Sequence, residues 1–128
     1  MVDVFIDTNI AVDLLRGYQP AAQWVNALGN VNVGICSIVY MEIVQGAPNK
    51  AKLQIATRFL LQFEIITLTD ADQQWAMRQL TKFNLSHNVD LTDALIAAPA
   101  HRLNLPLYTR NTKHFLPTIP NLVTKPYG

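Results

Sequence analysis

Cysteine is nearly missing from this chain of 128 residues, where Cys36 is the only one. A single thiol forms no internal disulfide and no thiolate metal cluster, which fits a reducing compartment. Its place in Gly34-Ile35-Cys36 suits a small core residue. Charge is sparse too: Asp, Glu, Lys and Arg make up 15% of the residues and sum to +1. That balance argues against gripping nucleic acid by overall basicity and leaves room for a local basic rim. No apolar run is long enough to cross a bilayer, and no secretory signal is expected ahead of the first strand. A soluble, cytoplasmic protein without a membrane partner is therefore expected. Several motifs are also missing. There is no Gly-x-Ser-x-Gly elbow, no phosphate loop ending in Gly-Lys-Ser/Thr, and no Gly-x-Gly-x-x-Gly fingerprint. His87, His101 and His114 lack a paired ligand spacing, which speaks against zinc.

Half of the residues are hydrophobic, enough for one compact domain over residues 1–128 with a real core. The chain is organised around its first apolar run, Val2 to Ile6, which stops on Asp7-Thr8-Asn9. Apolar residues without clean alternation indicate a strand buried on both faces. Ile10, Leu14 and Leu15 then fall at helical spacing, with Thr8 or Asn9 as the expected N-cap and Gly17 closing the helix. Asp7 thus ends a central strand just before a helix, where ligands bind in open parallel sheets.

The pattern continues in alternation. Pro20 stands near the start of a second helix, with Ala21, Trp24, Val25 and Leu28 on one face and Gly29-Asn30 at its end. Val33 to Cys36 is a strand, Ser37 the expected N-cap of a helix from Ile38 to Gln45, and Pro48 the opener of a helix carrying Leu53, Ala56, Leu60 and Phe63. Ile65 to Leu68 is the third strand. Thr69 or Asp70 caps a long helix with Ala76, Leu80 and Phe83, and Asn84 to Asn88 is polar enough for a loop. Asp90 to Asn104 makes a further helix in which Pro99 costs a backbone hydrogen bond. Pro106 to Thr109 is the fourth strand and Leu122 to Thr124 a short fifth. Such alternation specifies an α/β fold: a central, mainly parallel sheet of four to five strands flanked by helices.

Two further carboxylates stand out. Glu42 lies in Ser37-Ile38-Val39-Tyr40-Met41-Glu42-Ile43-Val44, a helix apolar almost all round, where a carboxylate is costly unless paired or bound to a metal. Asp93 precedes the small and apolar run Ala94-Leu95-Ile96-Ala97-Ala98 and forms a capping-box pair with Asp90. Arg110-Asn111 follow the fourth strand at the sheet edge that carries Asp7. Oxygen ligands converging there suit a hard cation such as Mg²⁺ or Mn²⁺.

The chain resembles a PIN-domain ribonuclease, and in particular the VapC-type toxins of toxin–antitoxin pairs. The matching pieces are Phe5-Ile6-Asp7-Thr8-Asn9, Met41-Glu42-Ile43, Asp93 to Ala98, Leu107-Tyr108-Thr109-Arg110-Asn111 with Phe115, and the closing Lys125-Pro126-Tyr127. The resemblance implies a PIN-like three-layer fold and a Mg²⁺-dependent endoribonuclease whose metal is held by Asp7, Glu42 and Asp93. It also implies products with 5′-phosphate and 3′-hydroxyl ends. Glu42 either coordinates the metal or orients the attacking water. The fourth acidic position of such proteins corresponds to Asn111, whose neutral carbonyl oxygen puts a second metal in question. Pro99 departs from the pattern and is expected to kink its helix locally. Implied partners are an RNA substrate, a cognate antitoxin whose segment enters the acidic crevice, and a second copy in a homodimer. Trp24, Tyr40, Met41 and Phe59 are more apolar bulk than one small core needs, open either to internal burial or to such a dimer. Arg16, Lys50, Lys52, Arg110 and Lys113 are candidates for RNA phosphates. Two other classes compete: a receiver-like Mg²⁺-binding signalling domain built on Asp70, Thr109 and Lys113, and a PIN-like module that binds RNA or a partner without cutting.

Overall fold

Val4–Ile6 (β1), wholly buried, is the middle strand of the sheet in the computed structural model, which describes all 128 residues. The other strands are Val33–Cys36 (β2), Glu64–Ile66 (β3), Leu107–Tyr108 (β4) and Val123–Thr124 (β5). They lie in the order β3-β2-β1-β4-β5, and every pair is parallel. Six helices flank them: Thr8–Leu15 (α1), Gln19–Ala27 (α2), Ser37–Gln45 (α3), Lys50–Leu60 (α4), Asp70–His87 (α5) and Leu91–Leu103 (α6). The expected α/β architecture is present, with the sheet parallel throughout. A receiver-like domain would need the doubly wound order 2-1-3-4-5, so this strand order removes that alternative. The order reverses between β1 and β4, and a crevice opens there beyond the carboxyl ends of both strands.

Ile6, Ile10, Ala11, Ile35, Val39, Leu60, Ala97, Ala100 and Leu107 are fully buried and join the helices to both faces of the sheet. Val2 lies outside the strand and packs instead over Gly34. A Cβ at position 34 would stand 2.6 Å from a Val2 methyl, so the close approach requires glycine.

Several expected boundaries are corrected. Asp7 itself, rather than Thr8 or Asn9, is the N-cap of α1, its carboxylate accepting from the Thr8 amide. Ser37 is already helical, because β2 runs into α3 at Cys36 without a side-chain cap. Asn49, not Pro48, starts α4 by accepting from the Lys52 amide, and Phe63 falls beyond that helix, packed edge-on to Phe59. Strand β3 ends at Ile66 rather than Leu68, since its partner β2 stops opposite that residue. The expected loop over Asn84 to His87 is the last turn of α5. Its polar side chains face solvent, and Asn88 closes the helix in the left-handed region at φ 58°.

Pro99 is accommodated by a specific partner. It has no N–H to offer the Leu95 carbonyl one turn earlier, and the Cys36 thiol donates to that carbonyl at 3.9 Å. Burial pushes the Cys36 thiol up to about 11, so it stays protonated and can serve as this weak donor. Helices α5 and α6 form a hairpin tied by an ion pair at 2.9 Å between Arg102 Nε and Asp72, whose side chain is 1% exposed. A stacked Trp75–His101 pair, with ring centroids 4.5 Å apart, supports the same hairpin.

Candidate active site

Asp7 enters the crevice from the end of β1, and both of its oxygens are fixed. One accepts from the Thr8 amide at 2.7 Å, the other from the Thr109 hydroxyl at 2.7 Å across the β1–β4 seam. Burial pushes the Asp7 carboxyl above its ordinary value, against those hydrogen bonds, and the nearby Glu42 charge pushes the same way. Asn9 braces the seam: its amide reaches Asp7 and Thr109 at 3.4 and 3.3 Å, and its carbonyl accepts from the Arg110 amide at 3.2 Å.

Glu42 comes from the second turn of α3. It is half-buried rather than sunk in apolar surroundings, and Thr8 Oγ1 donates to its Oε1 at 2.6 Å. Thr8, the first residue of α1, is thus freed from capping and orients a carboxylate. Asp93 sits in the first turn of α6, where it and Asp90 complete the expected capping box. Burial and the Asp90 charge push the Asp93 carboxyl up to about 6, and His114 Nδ1 stands 3.6 Å from its Oδ2.

Asp7, Glu42, Asp93 and Asn111 all line one polar crevice of about 330 Å³, together with Thr8, Asn9, Asp13, Arg110 and His114. The four candidates read from the sequence are therefore neighbours of one cavity. No three acidic or histidine side chains converge closely enough to form a ready-made ligand cluster. The Asn111 side chain makes no capping hydrogen bond, although this residue precedes the 3₁₀ turn Thr112–His114. The donor set suits a divalent cation in kind. Its oxygens come mainly from carboxylates; Asp7 and Asp93 are destabilised by burial and by a neighbouring carboxylate, Glu42 for the one and Asp90 for the other, and a hard cation would offset both effects.

Nothing in the spacing of Thr8, Thr109, Asp13 and His114 marks them for the crevice that they line or support. Asp13 lies one and a half turns after Asp7 on α1 and accepts from Arg110 at 3.0 Å and from the Tyr127 hydroxyl at 2.8 Å. Those partners are 97 and 114 residues away, so no local pattern announces them.

A family model described as the PIN domain matches residues 4–116. Among curated proteins, Ribonuclease VapC19 of Mycobacterium tuberculosis is 32% identical over 120 residues, covering 91% of this chain and 94% of that protein. Ribonuclease VapC10 of the same organism is 28% identical over 114 residues, covering 88% and 85%. Among solved structures, a toxin–antitoxin complex from Klebsiella pneumoniae aligns with TM-score 0.81 at 30% identity over 98% of both chains. VapBC2 from Rickettsia felis, bound to a DNA fragment from its promoter, shares the fold at TM-score 0.79 and 23% identity, again over 98% of both. The chain belongs to the PIN-domain family.

Proposed function

We propose that this protein is a divalent-metal-dependent endoribonuclease of the VapC type, acting as the toxin of a toxin–antitoxin pair. The observation that carries the reading is the crevice at the β1–β4 switch point, whose lining brings Asp7, Glu42 and Asp93 to one cavity. Full-length similarity to proteins named Ribonuclease VapC supports the substrate class, and similarity to toxin–antitoxin complexes supports the antitoxin as partner. Asp7, Glu42 and Asp93 would hold the ion, Mg²⁺ or Mn²⁺, with Asn111 at the rim. Once bound, such an ion supplies charge neutralisation at the phosphate and lowers the pKa of water.

The chain's own residues supply geometry. Thr109 and the Thr8 amide lock the Asp7 carboxylate in one orientation, so little reorganisation accompanies the reaction. Thr8 Oγ1 engages one Glu42 oxygen, and the other, without a side-chain hydrogen bond, would ligate the ion or orient water. Water attacks phosphorus, the bond to the 3′-oxygen breaks with its electron pair on that oxygen, and a proton completes the 3′-hydroxyl. The 5′-phosphate stays on the downstream fragment.

Asn111 tests how the ion is held. Asn111→Asp adds an anionic oxygen at the crevice rim, and hard cations prefer anionic oxygen. Calorimetric titration is expected to show Mn²⁺ bound about tenfold tighter by the variant, roughly the worth of one exposed charge at this range. Equal affinities would remove Asn111 from the site.

We infer that a homodimer would form through a second surface. A groove of about 600 Å³ between α3, α5 and α6 is lined by Ile38, Met41, Leu68, Met77, Leu80 and Leu91, among others, with Met41 52% exposed. Trp24, Tyr40 and Phe59 are half-buried against the core, so of the apolar surplus noted in the sequence Met41 is the exposed member. Light scattering at micromolar concentration is expected to return twice the monomer mass, and a monomer would contradict the assignment.

A further inference from the structure

Beside the acidic crevice lies a second cavity of about 260 Å³, lined by Asn9, Arg110, Asn111, Lys125 and Gly128, none of them hydrophobic. Asn9, Arg110 and Asn111 line both cavities, so the two are contiguous. Their chemistry differs. The crevice gathers carboxylates, whereas its neighbour gathers a guanidinium, an ammonium and two amides.

The Arg110 side chain is held in place from two sides. Its backbone amide donates to Asn9, which is itself braced on Asp7 and Thr109. Its Nη1 donates to Asp13 Oδ2, and that same oxygen accepts from the Tyr127 hydroxyl. The Asp13 side chain is only 14% exposed, and the Tyr127 ring is fixed against Tyr18 and Trp24 at 6.1 and 6.2 Å between centroids. Burial and the Asp13 hydrogen bond push the Tyr127 hydroxyl up, so it remains a donor at neutral pH. The bond to Asp13 is the only side-chain hydrogen bond Arg110 makes, and its side chain is 44% exposed, leaving most of its five donors open. Asp13 neutralises the guanidinium overall. Lys125 adds an ammonium to the lining, and Arg110 contributes a fixed, forked set of donors.

The geometry points to a phosphodiester subsite formed by Asn9, Arg110, Asn111 and Lys125, next to the scissile phosphate, with Asp13 and Tyr127 as positioning residues that hold Arg110 for it. The inference rests on the RNA-hydrolase reading for the identity of its ligand. It gives Lys125-Pro126-Tyr127 a role: this segment brings one cation to the site and pins another.

The test is binding of a fluorescein-labelled single-stranded RNA in EDTA, followed by anisotropy across a salt series. Arg110→Ala and Lys125→Ala are each expected to weaken binding about fivefold at 100 mM salt. Lys125→Ala should also lower the slope of log affinity against log salt by about 0.7, the value for one phosphate contact on a single strand, and Arg110→Ala, whose charge Asp13 already offsets, should lower it by less. A merely structural role would leave that slope unchanged. Tyr127→Phe keeps the ring packing and loses the hydroxyl; it should weaken RNA about twofold with an unchanged melting temperature, and with Mg²⁺ present raise KM more than it lowers kcat. Wild-type affinity and slope in both the Arg110 and Lys125 variants would overturn the subsite, as would a wild-type protein that binds no RNA. Binding through these residues by a protein that never cleaves would uphold the subsite and overturn the hydrolytic reading.

Discussion

Asp7→Asn is expected to fold as the wild type does and to cleave RNA roughly a thousand-fold more slowly. Asparagine caps a helix about as well as aspartate, so the start of α1 is kept. The amide oxygen can still accept from the Thr8 amide or from Thr109. Removing a buried charge also relieves both the desolvation and the Glu42 repulsion that push this carboxyl up, so the melting temperature should hold or rise. Activity moves the other way. A charged metal ligand contributes several kcal/mol of transition-state stabilisation, and about 1.4 kcal/mol is a factor of ten in rate. Wild-type turnover by the purified variant with Mg²⁺ would remove Asp7 from the centre.

Asp72→Ala is expected to produce the opposite pattern: a stability loss of about 2–4 kcal/mol with the chemistry of the surviving folded protein intact. Asp72 serves three purposes on one buried carboxylate. It closes the capping box of α5 with Thr69, pairs with Arg102, and so joins α5 to α6. Truncation leaves the Thr69 amide and the Arg102 guanidinium without their acceptor. Arg102 is one-third exposed and can turn to water, which keeps the loss below that of a fully buried pair. The same group sets a pH dependence. Burial pushes the Asp72 carboxyl up, but the Arg102 and Thr69 hydrogen bonds and the Arg102 charge outweigh it and hold the carboxyl below its ordinary 3.8. A carboxyl lowered on folding stabilises above the unfolded value, and that stabilisation is lost as pH falls through the lower folded value. Urea midpoints measured from pH 6 down to pH 3 should therefore fall in the wild type below about pH 4, and fall less in Asp72→Ala. Parallel pH profiles would deny Asp72 this role.

What the sequence reveals of this fold is what local patterns encode. Val4-Phe5-Ile6 ending on Asp7 marks both a buried strand and the carboxylate at its end, because hydrophobic burial and strand termination act within a few residues. The α6 capping box reads equally well, since Asp90 and Asp93 are three residues apart. Failures cluster where a residue's partner is remote. Thr8 and Asn9 look like caps by type, yet Thr8 serves Glu42 and Asn9 serves Thr109 and Arg110, across 34 to 101 residues. Asn84 to His87 looks like a loop because polar residues favour water, and a solvent-facing helix turn satisfies that preference as well. Glu42 stands out in the sequence because its helix reads as apolar almost all round. It is half-buried, and its relevance comes instead from the Thr8 hydroxyl and from the crevice it lines. Pro99 had no local rationale, and its compensation is a thiol on a different element.

The central claim, that a divalent ion held by Asp7, Glu42 and Asp93 drives RNA hydrolysis, is tested most directly by end-group analysis of a labelled RNA incubated with the purified protein. Cleavage with Mg²⁺ or Mn²⁺, abolished by EDTA, restored when the ion is added back, and yielding 5′-phosphate and 3′-hydroxyl ends, is the result expected. Cleavage that persists in EDTA, or that leaves 2′,3′-cyclic phosphate ends, would contradict it.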